Sequence, residues 1–283
     1  MAAASIFLNR KLVIATMHGK EAVLAPILQK ELGVQIVLPQ QLDTDQFGTF
    51  SGERERYLSP LETAIAKCKA AMQLTGCTLA VASEGSFGAH PLLGFLNSDE
   101  EIVVLVDTQY ELQVAAKELS TVTNFNGTTI HSMHELEAFA KAAQFPSHAL
   151  IIRANKADTA YLLKGITDKE VLEQRAQQLL NRQGSLYIET DMRAHYNPMR
   201  MQVIESAARK LIDKLMLPCP ACGMPGFDVV EVVPGLPCTL CGAATRSTQY
   251  FIKRCQCCEH EATEWYPHGK EGEDPMYCDT CNP

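Results

Sequence analysis

The alternation of apolar and polar positions reads as strands separated by helices. Lys11–Thr16 is a short apolar run behind the polar break Asn9-Arg10 and predicts a buried strand, followed by a glycine-containing loop and a helix ending near Gly33. Pro26 lies within that helical stretch and predicts a kink or a place in its first turn. Val34–Leu38 predicts a second strand, and Asp43–Tyr57 a polar loop of a length often tied to function. Ser59, Pro60 and Glu62 spell a capping box with proline at the first helical position; Leu61, Ile65, Cys68 and Met72 then recur at helical spacing up to Gly76. Thr78–Ala82 predicts a strand running into a loop, Ser83-Glu84-Gly85-Ser86-Phe87-Gly88. Glu101–Val106 predicts another strand, and Tyr110–Leu119 fits either a helix or the return strand of a hairpin.

Two further capping boxes, Ser132 with Glu135 and Thr167 with Glu170, open helices that reach Gln144 and Arg182. The runs Ala149–Arg153 and Leu186–Glu189 predict strands, and Asn197-Pro198 caps and starts a last helix reaching Leu217. Strands alternating with helices of ~10–15 residues predict an α/β unit, a mainly parallel or mixed sheet flanked by helices. At Pro218 the composition turns rich in Cys, Pro and Gly, with short β-prone runs at Val229–Val233 and Gln249–Ile252. Two domains are therefore expected: residues 1–217, an α/β ligand-binding or catalytic domain, and residues 218–283, a small β-rich metal-binding domain.

Charge and composition narrow the classes. No apolar run approaches the ~20 residues of a membrane helix. The N-terminal apolar stretch is broken by Asn9-Arg10-Lys11 with no basic residue ahead of it, so a secretory signal is not expected and the expected location is the cytoplasm. A net charge of −8 argues against broad attraction to nucleic acid.

The eleven cysteines carry the clearest chemistry. Eight form four Cys-x-x-Cys pairs: Cys219/Cys222, Cys238/Cys241, Cys255/Cys258 and Cys278/Cys281. Two such knuckles supply the four thiolates that tetrahedral zinc prefers, so two zinc ions per chain are expected. Sequential pairing of the knuckles, giving tandem zinc ribbons, is expected from the spacings inside each half; crossed pairing, giving a RING-like brace, is the alternative. Cys257 is an extra thiol able to stand in for Cys255 or Cys258, and Cys68 and Cys77 read as small core residues. Residues 213–283 carry five basic and ten acidic residues, net −5, a poor match to phosphate backbones. Structural support or a protein partner is the expected role of this domain.

Three loops at strand ends, where open α/β sheets place ligands, collect polar residues. Thr16-Met17-His18-Gly19-Lys20 is a strand–loop–helix unit whose Lys20 can hold a phosphate. In Ser83-Glu84-Gly85-Ser86-Phe87-Gly88 two glycines let a ligand approach the backbone closely, and Glu84 at the strand end is a candidate Mg²⁺ ligand or proton acceptor. In Asp191-Met-Arg193-Ala-His195-Tyr-Asn197-Pro-Met-Arg200, an extended chain would set Asp191, Arg193, His195 and Asn197 along one face, with Arg193 and Arg200 making an anion site. In the bland alternative Asn197 is only a helix cap and Asp191–Arg193 a surface pair.

Together these loops resemble the inosine/xanthosine triphosphate pyrophosphatase family. The resemblance runs over residues 11–212 and rests on Ala15-Thr16 with Gly19-Lys20, on Glu62-Thr-Ala-Ile-Ala-Lys67-Cys, on Glu84-Gly85 and on Arg193-Ala-His195. Met17-His18 departs from that family's longer, asparagine-containing loop, and Ser83-Glu84-Gly85-Ser86 keeps one carboxylate where the family has paired aspartates. The chain as a whole, with Asp-Met-Arg-Ala-His-x-Asn-Pro and its cysteine-rich tail, also looks like an uncharacterised bacterial family of unassigned function. What the resemblance implies is a Mg²⁺-dependent hydrolase of a nucleotide or related phosphate compound. Glu84 with Glu62 or Asp191 would hold the metal; Lys20, Arg193, Arg200 and Asn197 would bind the ligand; His195 would orient or protonate. Lys20, Glu84, Arg193 and His195 are then expected around one cleft. The other class is a non-catalytic protein that binds a small anion and contacts a protein partner through its zinc domain.

Overall fold

A computed structural model describes residues 3–40, 42, 43, 57–158 and 162–283. Most of the polar loop Asp43–Tyr57 lies outside the described residues. The first sheet takes five strands: β1 (Lys11–Ile14), β2 (Gln35–Val37), β3 (Leu79–Ala89), β4 (Asn97–Asp107) and β5 (Leu112–Ser120), in the order β2-β1-β3-β4-β5. β1 runs parallel to β2 and β3, whereas β3–β4 and β4–β5 are antiparallel hairpin partners. The sheet is therefore mixed, the second of the two expected arrangements, with parallel pairing confined to one edge.

Strand pleating sorts the core. Leu79, Val81, Val103 and Leu105 face α1 (Glu21–Leu32) and α5 (Pro198–Leu215), while Ala80, Ala82, Val104 and Val106 face α2 (Pro60–Thr75). α2 begins with the full Ser59/Glu62 capping box and ends at left-handed Gly76, as its sequence requires. The Tyr110–Leu119 ambiguity resolves as strand β5, because Leu112, Val114 and Ala116 all enter the α1/α5 core at period two.

A second sheet is inserted between β5 and α5. It comprises β6 (Gly127–Ile130), β7 (Leu150–Arg153), β8 (Leu162–Ile166) and β9 (Leu186–Thr190), ordered β6-β9-β7-β8 and antiparallel throughout. α3 (Met133–Ala142) and α4 (Lys169–Gln183) share its apolar core. The α4 cap is Asp168 rather than Thr167: its side chain accepts the Val171 N–H. Among the described residues, the first 217 thus hold two sheets rather than one.

The tail forms a third, three-stranded antiparallel sheet of β10 (Asp228–Pro234), β11 (Thr248–Arg254) and β12 (Glu261–Trp265). Its own apolar core is small, built around Cys219, Phe227 and Cys255. It sits on the edge strand β5: the Gln256 side-chain amide exchanges two hydrogen bonds with the Gln113 backbone, and Lys214 on α5 pairs with Asp228 at 2.5 Å. No helix of the described residues is long and apolar enough to cross a membrane.

Candidate functional site

Two candidate centres stand apart: the cysteine tetrads of the tail, and a buried cluster of charges at the end of the first sheet.

Each Cys-x-x-Cys pair closes the same turn. The N–H four residues after the first cysteine donates to that cysteine's carbonyl, at Gly223, Gly242, Glu259 and Asn282. Gly223, Gly242 and Glu259 take positive φ there, so glycine suits the first two knuckles. The turns aim their sulfurs into two tetrads, Cys219/Cys222/Cys255/Cys258 and Cys238/Cys241/Cys278/Cys281, in each of which the Sγ atoms lie within 4.8 Å of one another. The knuckles therefore pair first with third and second with fourth, which corrects the sequential, double-ribbon expectation. The cause is the sheet: β10 and β11 carry the chain away from each of the first two knuckles before the third and fourth return. Cys257 is exposed and outside both tetrads, its N–H donating to Cys255 Sγ.

The sulfurs fit a metal better than each other. Four thiolates about 2.3 Å from zinc stand about 3.8 Å apart along a tetrahedral edge, and a disulfide needs about 2.05 Å. Cys219–Cys258 is 3.7 Å, Cys222–Cys255 3.6 Å, Cys238–Cys281 3.9 Å and Cys241–Cys278 3.7 Å. Backbone N–H groups of Ala221, Leu240 and Cys257 point at Cys219, Cys238 and Cys255 Sγ, which favours thiolate. The N–H of Cys281 leads in drawing the Cys278 thiol down to about 7. Two cysteine tetrads can thus each hold one metal ion. Four protein ligands leave no open position, so such ions would brace the fold rather than act on a substrate.

The second centre forms where β3 and β4 outrun β1. Residues 83–88 are not a loop; they continue β3, pairing with β4 as far as Ala89. Lys20, on the turn before α1, reaches into the space beyond the end of β1. Its Nζ donates to Ser83 O at 3.1 Å and Oγ at 2.9 Å. Burial first, then the Arg200 charge, draws the Lys20 ammonium down to about 7, against the pull of Glu101 and Glu84. Around it stand Lys67, Glu84, Asp99, Glu101 and Arg200, every one under 9% exposed.

The pleat divides this cluster. Glu84 follows Ala80 and Ala82 toward α2, where Lys67 Nζ meets its carboxylate at 2.5 Å. Gly85, Glu101 and Asp99 face α5, where Arg200 Nε meets Glu101 Oε1 at 2.6 Å and Arg200 Nη1 donates to Met192 O. A side chain at Gly85 would collide with the Glu101 carboxylate and the Arg200 guanidinium, so glycine makes room for that pair. Burial, then the Glu101 charge, pushes the Asp99 carboxyl up to about 8.

The third loop joins only in part. His195 packs on Gly19 and stacks with His18 at 5.3 Å between ring centroids, so it does meet the first loop. Burial and Arg193 lower its pKa from the ordinary histidine value. The segment, however, turns into a short 3₁₀ helix at Ala194–Tyr196 instead of staying extended, so the four polar residues do not share a face. Asp191 is fully buried and accepts from Arg193 N and Nε and from Gly165 N, which leaves it committed rather than placed as a Mg²⁺ ligand. Arg193 is held on Asp191 at 2.6 Å and against the Tyr196 ring. Asn197 caps α5 through the Arg200 N–H and donates to Asn124. The Glu62 carboxylate accepts the Ser59 N–H, completing the cap of α2. The expected single cleft around Lys20, Glu84, Arg193 and His195 is therefore not formed: Glu84 faces the α2 layer, while Arg193 lies on the turn into α5.

Asp99 and Glu101 escaped the sequence reading because Asn97-Ser-Asp-Glu100 holds no apolar residue to extend the strand predicted from Glu101. The signal that could have found them is parity: both stand an even number of residues before Val103 and Leu105, on the same strand face. Beside the first loop, an open cleft of about 480 Å³ lies between Thr16, Met17 and Glu21 on one side and Leu38, Gln40 and Asp43 on the other.

No curated protein matches this chain. Among solved structures, the crystal structure of protein VC0702 from Vibrio cholerae is similar over 74% of this chain and 96% of that one, with 11% identity and a TM-score of 0.34. Residues 67–283 match the domain of unknown function DUF6671, a span that takes in β3, β4, α5 and both cysteine tetrads. The chain belongs to the DUF6671 family.

Proposed function

We propose that the α/β part acts on a nucleotide or related phosphate compound as a Mg²⁺-dependent hydrolase, and that the tail is a zinc-braced module for structural support or protein contact. One observation carries the first half: six ionisable side chains, Lys20, Lys67, Glu84, Asp99, Glu101 and Arg200, are buried together at the strand ends. Burying so many charges costs stability that apolar residues would not cost, and such clusters mark sites of chemistry. Lys20 and the nearby His195 would meet the phosphates, with His195, mostly neutral at pH 7, able to move a proton. What remains of the resemblance to inosine/xanthosine triphosphate pyrophosphatases in support of this reading is the first loop, Ala15-Thr16 with Gly19-Lys20.

The second reading, a small-anion binder without turnover, is favoured by the Lys67–Glu84 ion pair, which fills the place of a metal on that carboxylate. A panel of nucleoside triphosphates with Mg²⁺, assayed for pyrophosphate release, separates the two. The hydrolase reading expects release from at least one nucleotide and its loss in Lys20→Ala. Nucleotide binding without release would favour the binder, and neither binding nor release would sink both.

A further inference from the structure

We propose that the outward face of the tail sheet, centred on Trp265, is a docking surface for a cationic segment of a protein partner, with an arginine or lysine side chain laid on its aromatic rings. The inference rests on the reading of the tail as a zinc-braced module for protein contact, and it names the chemistry of the partner.

The register builds the face. Val233, Tyr250 and Trp265 stand in one row across β10, β11 and β12, and Glu231, Ile252 and Thr263 form the next row on the same side. No member of either row is buried, and Trp265 is 56% exposed. The opposite side takes the small apolar core, where Ala262 packs against the cluster of Cys219, Phe227 and Cys255. The Tyr250 and Trp265 ring centroids lie 4.5 Å apart with planes at 50°, and the Tyr266 ring follows 6.0 Å from Trp265 at 51°. Each ring carries a negative π face, which draws a cation placed over it. Among the described residues no arginine or lysine lies over any of the three.

Charge decides what this face accepts. Every basic residue of 213–283, Lys214, Arg246, Lys253, Arg254 and Lys270, already pairs with an acidic residue of the same segment. Those pairs take five of its ten acidic residues and leave five, Glu231 on the face among them, with no basic partner among the described residues. A zinc ion in each tetrad would leave about two further negative charges on each four-thiolate site. A second copy of this chain would bring the same excess against itself, and a phosphate backbone is repelled likewise. A cationic side chain is attracted twice, by the ring faces and by the acidic surroundings. The flat guanidinium of arginine stacks on tryptophan better than an ammonium does, so arginine is the sharper probe.

The chain has a single tryptophan, so its fluorescence reads this face directly and needs no variant to fold. The probe is a capped peptide of alternating glycine and arginine, titrated into the full chain. The same peptide carrying citrulline, the neutral counterpart of arginine, or glutamate, and a single-stranded oligothymidine, are the comparisons. The arginine peptide should change the Trp265 emission saturably and bind roughly tenfold more tightly than the citrulline peptide, the scale of a cation–π contact. Anisotropy of a labelled arginine peptide should show weaker binding to Trp265→Ala and to Glu231→Gln, each by several-fold. No saturable change in the wild type, an equal response to citrulline, or unchanged binding in Trp265→Ala would overturn the proposal. So would a preference for the glutamate peptide or the oligothymidine, or an emission that shifts on dilution of the chain alone, which would give the face to a second copy. Zinc content of the same samples keeps the two readings apart. A chain with zinc in each tetrad that ignores the peptide loses this surface and keeps the braced module; a zinc-free chain that binds the peptide does the reverse.

Discussion

Lys20 shows how one side chain ties fold to function. Its ammonium falls to about 7 in the folded chain, against the ~10.4 of an unfolded lysine. Between those values the unfolded chain holds a proton that the folded chain has released, so this residue makes stability rise with pH across that window. The stability of the wild type relative to Lys20→Met should therefore grow between pH 7 and about 10, measured by urea unfolding at several pH values. A difference that stays flat or shrinks would contradict the buried, deprotonating lysine. Gly85 makes a second test at this scale. A methyl there meets the Arg200–Glu101 pair, so Gly85→Ala should cost ~1–3 kcal/mol, the range for overpacking. Unchanged unfolding would show that the pair can move aside. Residue types alone pointed to Lys20, Glu84 and the Arg193–Arg200 segment. They could not say which face Glu84 takes, because that depends on β3 continuing past Ala82 rather than ending in a loop.

At the scale of elements, caps were legible and thin strands were not. Ser59, Ser132 and Asn197 cap the helices their sequences announce, because a side-chain oxygen placed before an apolar periodic run meets an unsatisfied N–H whatever the tertiary setting. Thr167 failed by one place because Asp168, the stronger cap, stands next to it. Asp168→Ala should then destabilise α4 by ~0.5–2 kcal/mol and Thr167→Ala by much less, read from thermal or urea melts; the opposite order would restore the threonine cap. β6 and β8 gave no strand signal: Gly127-Thr-Thr-Ile130 is mostly exposed, and β8 carries Lys164 and a left-handed Gly165. Gly165 is needed because a side chain there would strike the Tyr196 ring. The mixed sheet was one of two arrangements left open, since composition does not distinguish the turns joining β3, β4 and β5 from crossover loops.

For the whole molecule, the crossed tetrads decide how the tail holds together and how it is carried. A metal shared by the first and third knuckles closes residues 219–258 into one loop, and the second and fourth close 238–281 across it, so each ion locks the other's loop. With so small an apolar core, a metal bound in each tetrad would supply much of this module's folding free energy. Its contacts to Gln113 and Asp228–Lys214 then fix it to β5 and to α5, the helix that carries Arg200. The four Cys-x-x-Cys pairs were plain in the sequence, but their pairing was not, because spacing within each half is the same for ribbon and brace. The metal content of two double variants tests the crossed arrangement most directly. Cys222→Ser with Cys258→Ser removes ligands from one tetrad, and elemental analysis should find one zinc per chain. Cys222→Ser with Cys241→Ser strikes both tetrads and should leave none. One zinc in the second variant and none in the first would contradict the crossed pairing and return the tail to two sequential ribbons.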